Sequence, residues 1–117
     1  MRFAILAVLS TLIAAPALAD GFAKVSNRSD FVSLVDGRDL KRFGIKLNVL
    51  PNGQITGDAF GRDVVGAWEW NKGYFCRDLF WGKRDLGPNC QAVKVQGGKI
   101  RFIADRGNGE FADFALR

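Results

Sequence analysis

The residues best suited to chemistry fall in one run, Gly66-Ala67-Trp68-Glu69-Trp70-Asn71-Lys72-Gly73-Tyr74-Phe75-Cys76-Arg77. Trp68 and Trp70, two apart, project from one face of a strand, and Glu69 projects from the other. Facing inward, the pair fills a core or floors a cavity; facing outward, it makes an adhesive patch. Tyr74 adds a ring with a polar tip that stacks on sugars and flat ligands. Arg77 alternates onto the face of Phe75, Leu79 and Trp81, an otherwise apolar set. A guanidinium there is an interior group paired to a carboxylate, an anion-binding point, or a surface arginine laid over an exposed ring. Glu69 and Asp105 are its candidate partners. Trp68, Trp70, Tyr74 and Arg77 are therefore the candidate ligand-binding residues.

Catalytic chemistry has less to work with. The 117 residues contain no histidine, which removes the commonest general base near neutral pH and the commonest metal ligand. Glu69, Asp63 and Asp78 could in principle supply a glycosidase pair, but nothing in their spacing forces two of them together. Two cysteines without histidine cannot complete a zinc site, so no metal centre is expected. Arg106-Gly107-Asn108-Gly109 lacks the third glycine and the Lys-Ser/Thr of a phosphate loop and reads as a hairpin turn. No cofactor is implied, and the expectation is a protein that is not an enzyme.

The N-terminus reads as an address. Met1-Arg2 is a short basic region, Phe3 to Ala15 is apolar apart from Ser10 and Thr11, Pro16 breaks the run, and Ala17-Leu18-Ala19 is an A-x-A cleavage site before Asp20. Residues 1–19 are expected to be a signal peptide, too short for a membrane span, and 20–117 a single domain. No later segment could cross a bilayer as a helix. Cleavage removes Arg2, so the net charge of +5 becomes +4. A periplasmic or secreted location follows, and export argues against nucleic acid as a partner. In that oxidising compartment Cys76 and Cys90 have one possible pairing, and the Cys-x-x-Cys spacing of a redox pair is absent.

The elements that must position these residues are short. Asn27 to Asp30 offer N-caps, Phe31, Leu34 and Val35 follow at helical spacing, and Gly37 stands where a helix ends, giving a helix near 30–36. From residue 39 onward, turn signals recur every eight to twelve residues. They separate strands at 45–50, 54–60, 64–70, 74–81, 91–96, 99–105 and 110–116. Alternation supports them: Ile100, Phe102 and Ala104 oppose Arg101 and Asp105, Ile45, Leu47 and Val49 oppose Lys46 and Asn48, and Ala112, Phe114 and Leu116 oppose Asp113. The fold expected is mainly β, a small antiparallel barrel or sandwich, a meander of six to eight short strands with one short N-terminal helix. A Cys76–Cys90 bond would tie strand 74–81 to strand 91–96 across a connecting loop.

The tryptophan-rich run, with Ser29-Asp30-Phe31-Val32-Ser33-Leu34-Val35-Asp36-Gly37, Asn52-Gly53-Gln54-Ile55-Thr56-Gly57, Cys90-Gln91 and Arg106-Gly107-Asn108-Gly109, resembles a family of small uncharacterised exported proteins of Gram-negative bacteria. The likeness spans nearly all of 20–117, and its most specific part is Gly66-x-Trp68-x-Trp70…Gly73-Tyr74-Phe75-Cys76-Arg77. It implies export and a strand-rich fold. Some members carry a dihydrodipicolinate reductase label, but that reaction needs a dinucleotide fold with its glycine fingerprint and a substrate domain, for which this chain has no room.

The function expected is therefore binding: an exported, non-enzymatic barrel taking a small ligand or an envelope component. The alternative is a protein–protein interaction module, such as an inhibitor of an exported hydrolase acting through a loop around Gly82–Asn89. A hollow interior favours the first and a filled one the second.

Overall fold

Alternating apolar residues decide which way each strand faces, and the computed structural model, which describes residues 21–117, bears this out. The signal peptide expected over residues 1–19, and its cleavage point, lie outside the described residues. Among the described residues nine strands form one sheet: β1 (Ala23–Val25), β2 (Leu40–Arg42), β3 (Ile45–Val49), β4 (Gln54–Ala59), β5 (Arg62–Asn71), β6 (Tyr74–Trp81), β7 (Arg84–Gln96), β8 (Lys99–Ile103) and β9 (Phe111–Leu116). From β2 to β9 each strand pairs antiparallel with the next, and β9 returns to β2 at Leu40↔Leu116. The result is a closed eight-strand meander barrel rather than a sandwich. Closure leaves no pair of free edges on the β2–β9 sheet. The ninth strand, β1, lies outside this circuit and pairs with the end of β7, at Val25↔Val93.

Curvature this tight needs glycine where strands approach closely. Gly66 faces inward on β5, and a Cβ there would collide with the Asp78 carbonyl and the Leu79 side chain on β6. Gly57, at φ +152°, meets the Lys46 carbonyl in the same way. Such glycines let neighbouring strands bend across each other.

Helix α1 (Arg28–Val35) closes one end. Asn27 caps it, its side-chain oxygen accepting from the Asp30 N–H at 2.9 Å, and Gly37 follows it at φ +71°. Phe31 and Val35, both fully buried, form its inward face. Phe31 sits among Trp68, Trp70, Phe75 and Phe102 at centroid distances of 5.2, 5.2, 5.0 and 6.2 Å. Arg28 anchors the helix to the β3–β4 turn through Nη2 to the Pro51 carbonyl. Because the strands alternate in direction, the turns at 43–44, 60–61, 82–83 and 104–110 gather at the other end, the mouth.

Two sequence expectations need correction, and two strands escaped the sequence pattern. Gly82–Asn89 is not a loop: β7 starts at Arg84 and ladders with β6 throughout, with a bulge opposite Leu79/Phe80. Gly87-Pro88-Asn89 has turn composition, but this part of β7 pairs on one side only, where a strand tolerates proline. Strand 99–105 ends at Ile103, because Asp105 and Arg106 adopt positive φ in a tight turn, α2 (Ala104–Gly107). The three-residue strands β1 and β2 are too short for alternation to reveal.

Candidate functional site

The barrel is hollow toward the mouth. A cavity of about 430 Å³ runs from a floor of Phe75 and Phe102 past Leu40, Val49 and Ile55 to Arg42, Glu110 and Phe111. A second, wholly apolar recess of about 290 Å³ lies alongside, bounded by Ala59, Phe60, Trp81 and Leu86. The two share Leu47, Leu79 and Phe114 as walls. Cavities of this size and apolar character are the usual form of small-ligand sites.

Arg77 is the charged group on the wall below Arg42 and Glu110 at the rim. Strand alternation on β6 turns Phe75, Arg77 and Leu79 inward while Cys76 and Asp78 point out. Its Nη1 donates to the Gly87 carbonyl across the β6–β7 ladder at 2.7 Å. Among the described residues it makes no ion pair. Burial draws the guanidinium's pKa below its ordinary value, and the Asp78 carboxylate pulls the other way. An arginine remains charged through such a change, so the cavity carries a fixed, half-desolvated cation. Gln91, paired with Phe75 across the same ladder, adds an amide to the wall.

The disulfide holds that wall together. Cys76 and Cys90 are direct cross-strand partners and are bonded, as their even number and setting suggested. Each sits on the outer face between two inward neighbours: Phe75 and Arg77 on β6, Asn89 and Gln91 on β7. The bond therefore staples the strand bearing Arg77 to the strand bearing its hydrogen-bond acceptor.

The other residues expected at the site go elsewhere. Trp68 and Trp70 do face inward, but at the helix-capped end. Trp68 is 6% exposed, its Nε1 donates to the Leu50 carbonyl at 2.8 Å, and its ring packs against Phe31 and Phe75. These tryptophans support the floor from below and do not line the cavity. Tyr74 starts β6 on the outer side, under the Arg106 guanidinium at 5.9 Å. Neither carboxylate offered as an Arg77 partner pairs with it. Glu69 is exposed opposite Cys76, and Asp105 accepts from the Asn89 amide at 2.8 Å. Asp63 and Asp78 are likewise exposed on the outer face. Among the described residues, no three His, Cys, Asp or Glu side chains are grouped to hold a metal ion.

Sequence reasoning missed most of the lining. Ala112 and Phe114 stood out as one face of β9, and Leu47 and Val49 as one face of β3, but period-two patterns cannot say that these faces converge on empty space. It also missed Arg42, which ends the three-residue β2 and lies over the Phe114 ring at 5.7 Å beside the mouth. No family model, curated protein or solved structure matches the chain.

Proposed function

We propose that this barrel binds, without transforming, a small amphipathic ligand with an apolar body and an anionic head, such as a medium-chain carboxylate. The observation that carries the reading is Arg77: a half-buried guanidinium on the wall of an apolar cavity, its charge unmatched by an ion pair among the described residues. A buried cation is costly unless something compensates it, and an anion entering the cavity would do so while burying its tail. The volume of about 430 Å³ suits a ligand of modest size. Binding rather than catalysis is favoured by the lack of histidine and by Asp63, Glu69 and Asp78 lying on the outer face.

The Cys76–Cys90 bond supports an oxidising, extracytoplasmic compartment, in keeping with the signal-like N-terminus. Among the described residues no helix is long and apolar enough to cross a membrane. The hollow interior favours a small ligand over the inhibitor alternative, whose proposed loop is a laddered hairpin.

The test is titration with a fluorescent naphthalene sulfonate, against Arg77→Met and Ala112→Phe. Arg77→Met keeps the length of the side chain and removes its charge; Ala112→Phe fills the cavity from β9. Both should weaken probe binding at least about tenfold, as expected for losing a charge-assisted hydrogen bond or the space itself. Undiminished binding in both folded variants would refute the reading.

A further inference from the structure

The mouth of the barrel carries large apolar side chains in the open. Phe43 is 91% exposed at the tip of the β2–β3 turn, and Phe60 is 61% exposed at the tip of the adjoining β4–β5 turn. Their rings meet edge to face at 6.4 Å, so they form one projection. Leu86 and Phe111, also exposed, flank the same opening. Meander topology puts all four at the end opposite α1.

The backbone under Phe60 is held in a conformation a phenylalanine resists. Its φ is +51°, followed by Gly61 at +82°, a turn that ordinarily takes asparagine or glycine first. A bulky residue at positive φ is a true outlier that marks a cost accepted for another reason. The turn is fixed there by the Phe60 N–H donating to the Gly44 carbonyl at 2.8 Å. Gly44 has no side chain, and a Cβ on it would collide with the Phe60 ring. Two turns are thus built around keeping this ring raised in solvent.

The tips of these turns also carry cations. Arg42 and Arg62 adjoin the two phenylalanine turns and Lys83-Arg84 stand at the third, with Asp63, Asp85 and Glu110 beside them. Aromatic tips ringed by cations suit an interface with apolar depth and anionic headgroups.

We propose that the mouth docks onto an anionic lipid bilayer, with Phe43 and Phe60 inserted below the headgroups and the surrounding arginines and lysines over them. Docking goes beyond the ligand reading and does not require it, although it would open the barrel toward a reservoir of amphiphiles.

The test is flotation of the purified protein with phosphatidylcholine vesicles, with and without one part in three phosphatidylglycerol. Wild type should float with the anionic vesicles and far less with the neutral ones, and salt should weaken the binding. Phe43→Ser combined with Phe60→Asn should reduce partitioning at least about tenfold. Phe60→Asn suits its backbone better than the native residue, so this variant should unfold at no lower temperature than wild type, which excludes misfolding as the cause. Lys83→Glu with Arg84→Glu should abolish the preference for anionic vesicles. Arg77→Met, directed at the ligand, should float normally; loss of sulfonate binding with flotation retained separates the two proposals. Failure of wild type to float, or flotation unchanged by the phenylalanine substitutions, would overturn docking. So would a concentration-dependent dimer or a captured protein partner that the same substitutions dissolve while vesicles remain unbound.

Discussion

Replacing Phe31 with alanine tests how the closed end supports the cavity. Phe31 is fully buried and touches four aromatic rings at 5.0 to 6.2 Å. Burying a phenylalanine side chain contributes about 1.5–3 kcal/mol, and favourable ring pairs add about 0.5–1.5 kcal/mol each. Neighbours on three strands cannot collapse into the gap, so a cavity cost adds as well. Phe31→Ala should therefore cost about 4 kcal/mol, within the range of about 3–5 found for such truncations. For a domain of this size that is a large part of a stability of about 5–15 kcal/mol. Urea unfolding followed by tryptophan fluorescence is the assay, because Trp68 and Trp70 lie against the ring. The midpoint should fall with the slope unchanged. Phe31→Leu should cost less than half as much. A loss under about 1 kcal/mol for alanine would refute the reasoning that this residue plugs the barrel.

Three other outcomes follow from named contacts. Replacing Cys76 and Cys90 with serine opens a loop of 14 residues' separation and should cost about 3 kcal/mol, read as a lower urea midpoint that reductant reproduces in wild type. On the outer wall Arg101 donates two hydrogen bonds to Asp113, at 2.7 and 3.0 Å, and these, chiefly, hold the Asp113 pKa below its ordinary value. Because the folded value is depressed, the contribution is present above pH about 4, the unfolded aspartate value, and is lost as pH falls through the folded pKa. Asp113→Asn should cost about 1 kcal/mol at neutral pH and flatten that acid limb in unfolding titrations; an unchanged limb would contradict the assignment. Gly66→Ala drives a methyl into the Asp78 carbonyl and should lower stability by about 1–3 kcal/mol, measured by thermal unfolding.

Much of this architecture was legible because its signals are local. Asn27 and Gly37 bound α1 through side-chain and backbone preferences that act within a few residues. Alternation placed Ile100, Phe102, Phe114 and Leu116 on inner faces, and the same period turned Arg77 inward with Phe75. The pairing of Cys76 with Cys90 followed from number and compartment. Closure was not local: the Leu40↔Leu116 pairing joins the first and last strands of the barrel, 76 residues apart, and barrel and sandwich share the same strand pattern. Nor could the sequence divide one inner face between core and cavity. Trp68 and Arg77 are cross-strand partners, yet the tryptophan fills the space beneath Phe31 and the arginine borders empty volume, because α1 plugs only one end. Phe43 and Phe60 escaped notice for a related reason: a phenylalanine beside a glycine reads as a strand end, and only the folded turns show it raised into solvent.

The central claim, that the barrel holds an anionic amphiphile against Arg77, is tested most directly by calorimetric titration. Decanoate and decanol, which share a tail and differ in the head, would be titrated into wild type and Arg77→Met. The account predicts that wild type binds decanoate at least about tenfold more tightly than decanol, and that Arg77→Met erases the difference while decanol binding stays. Equal affinity for the two in wild type, or a preference for decanoate that survives in Arg77→Met, would contradict it.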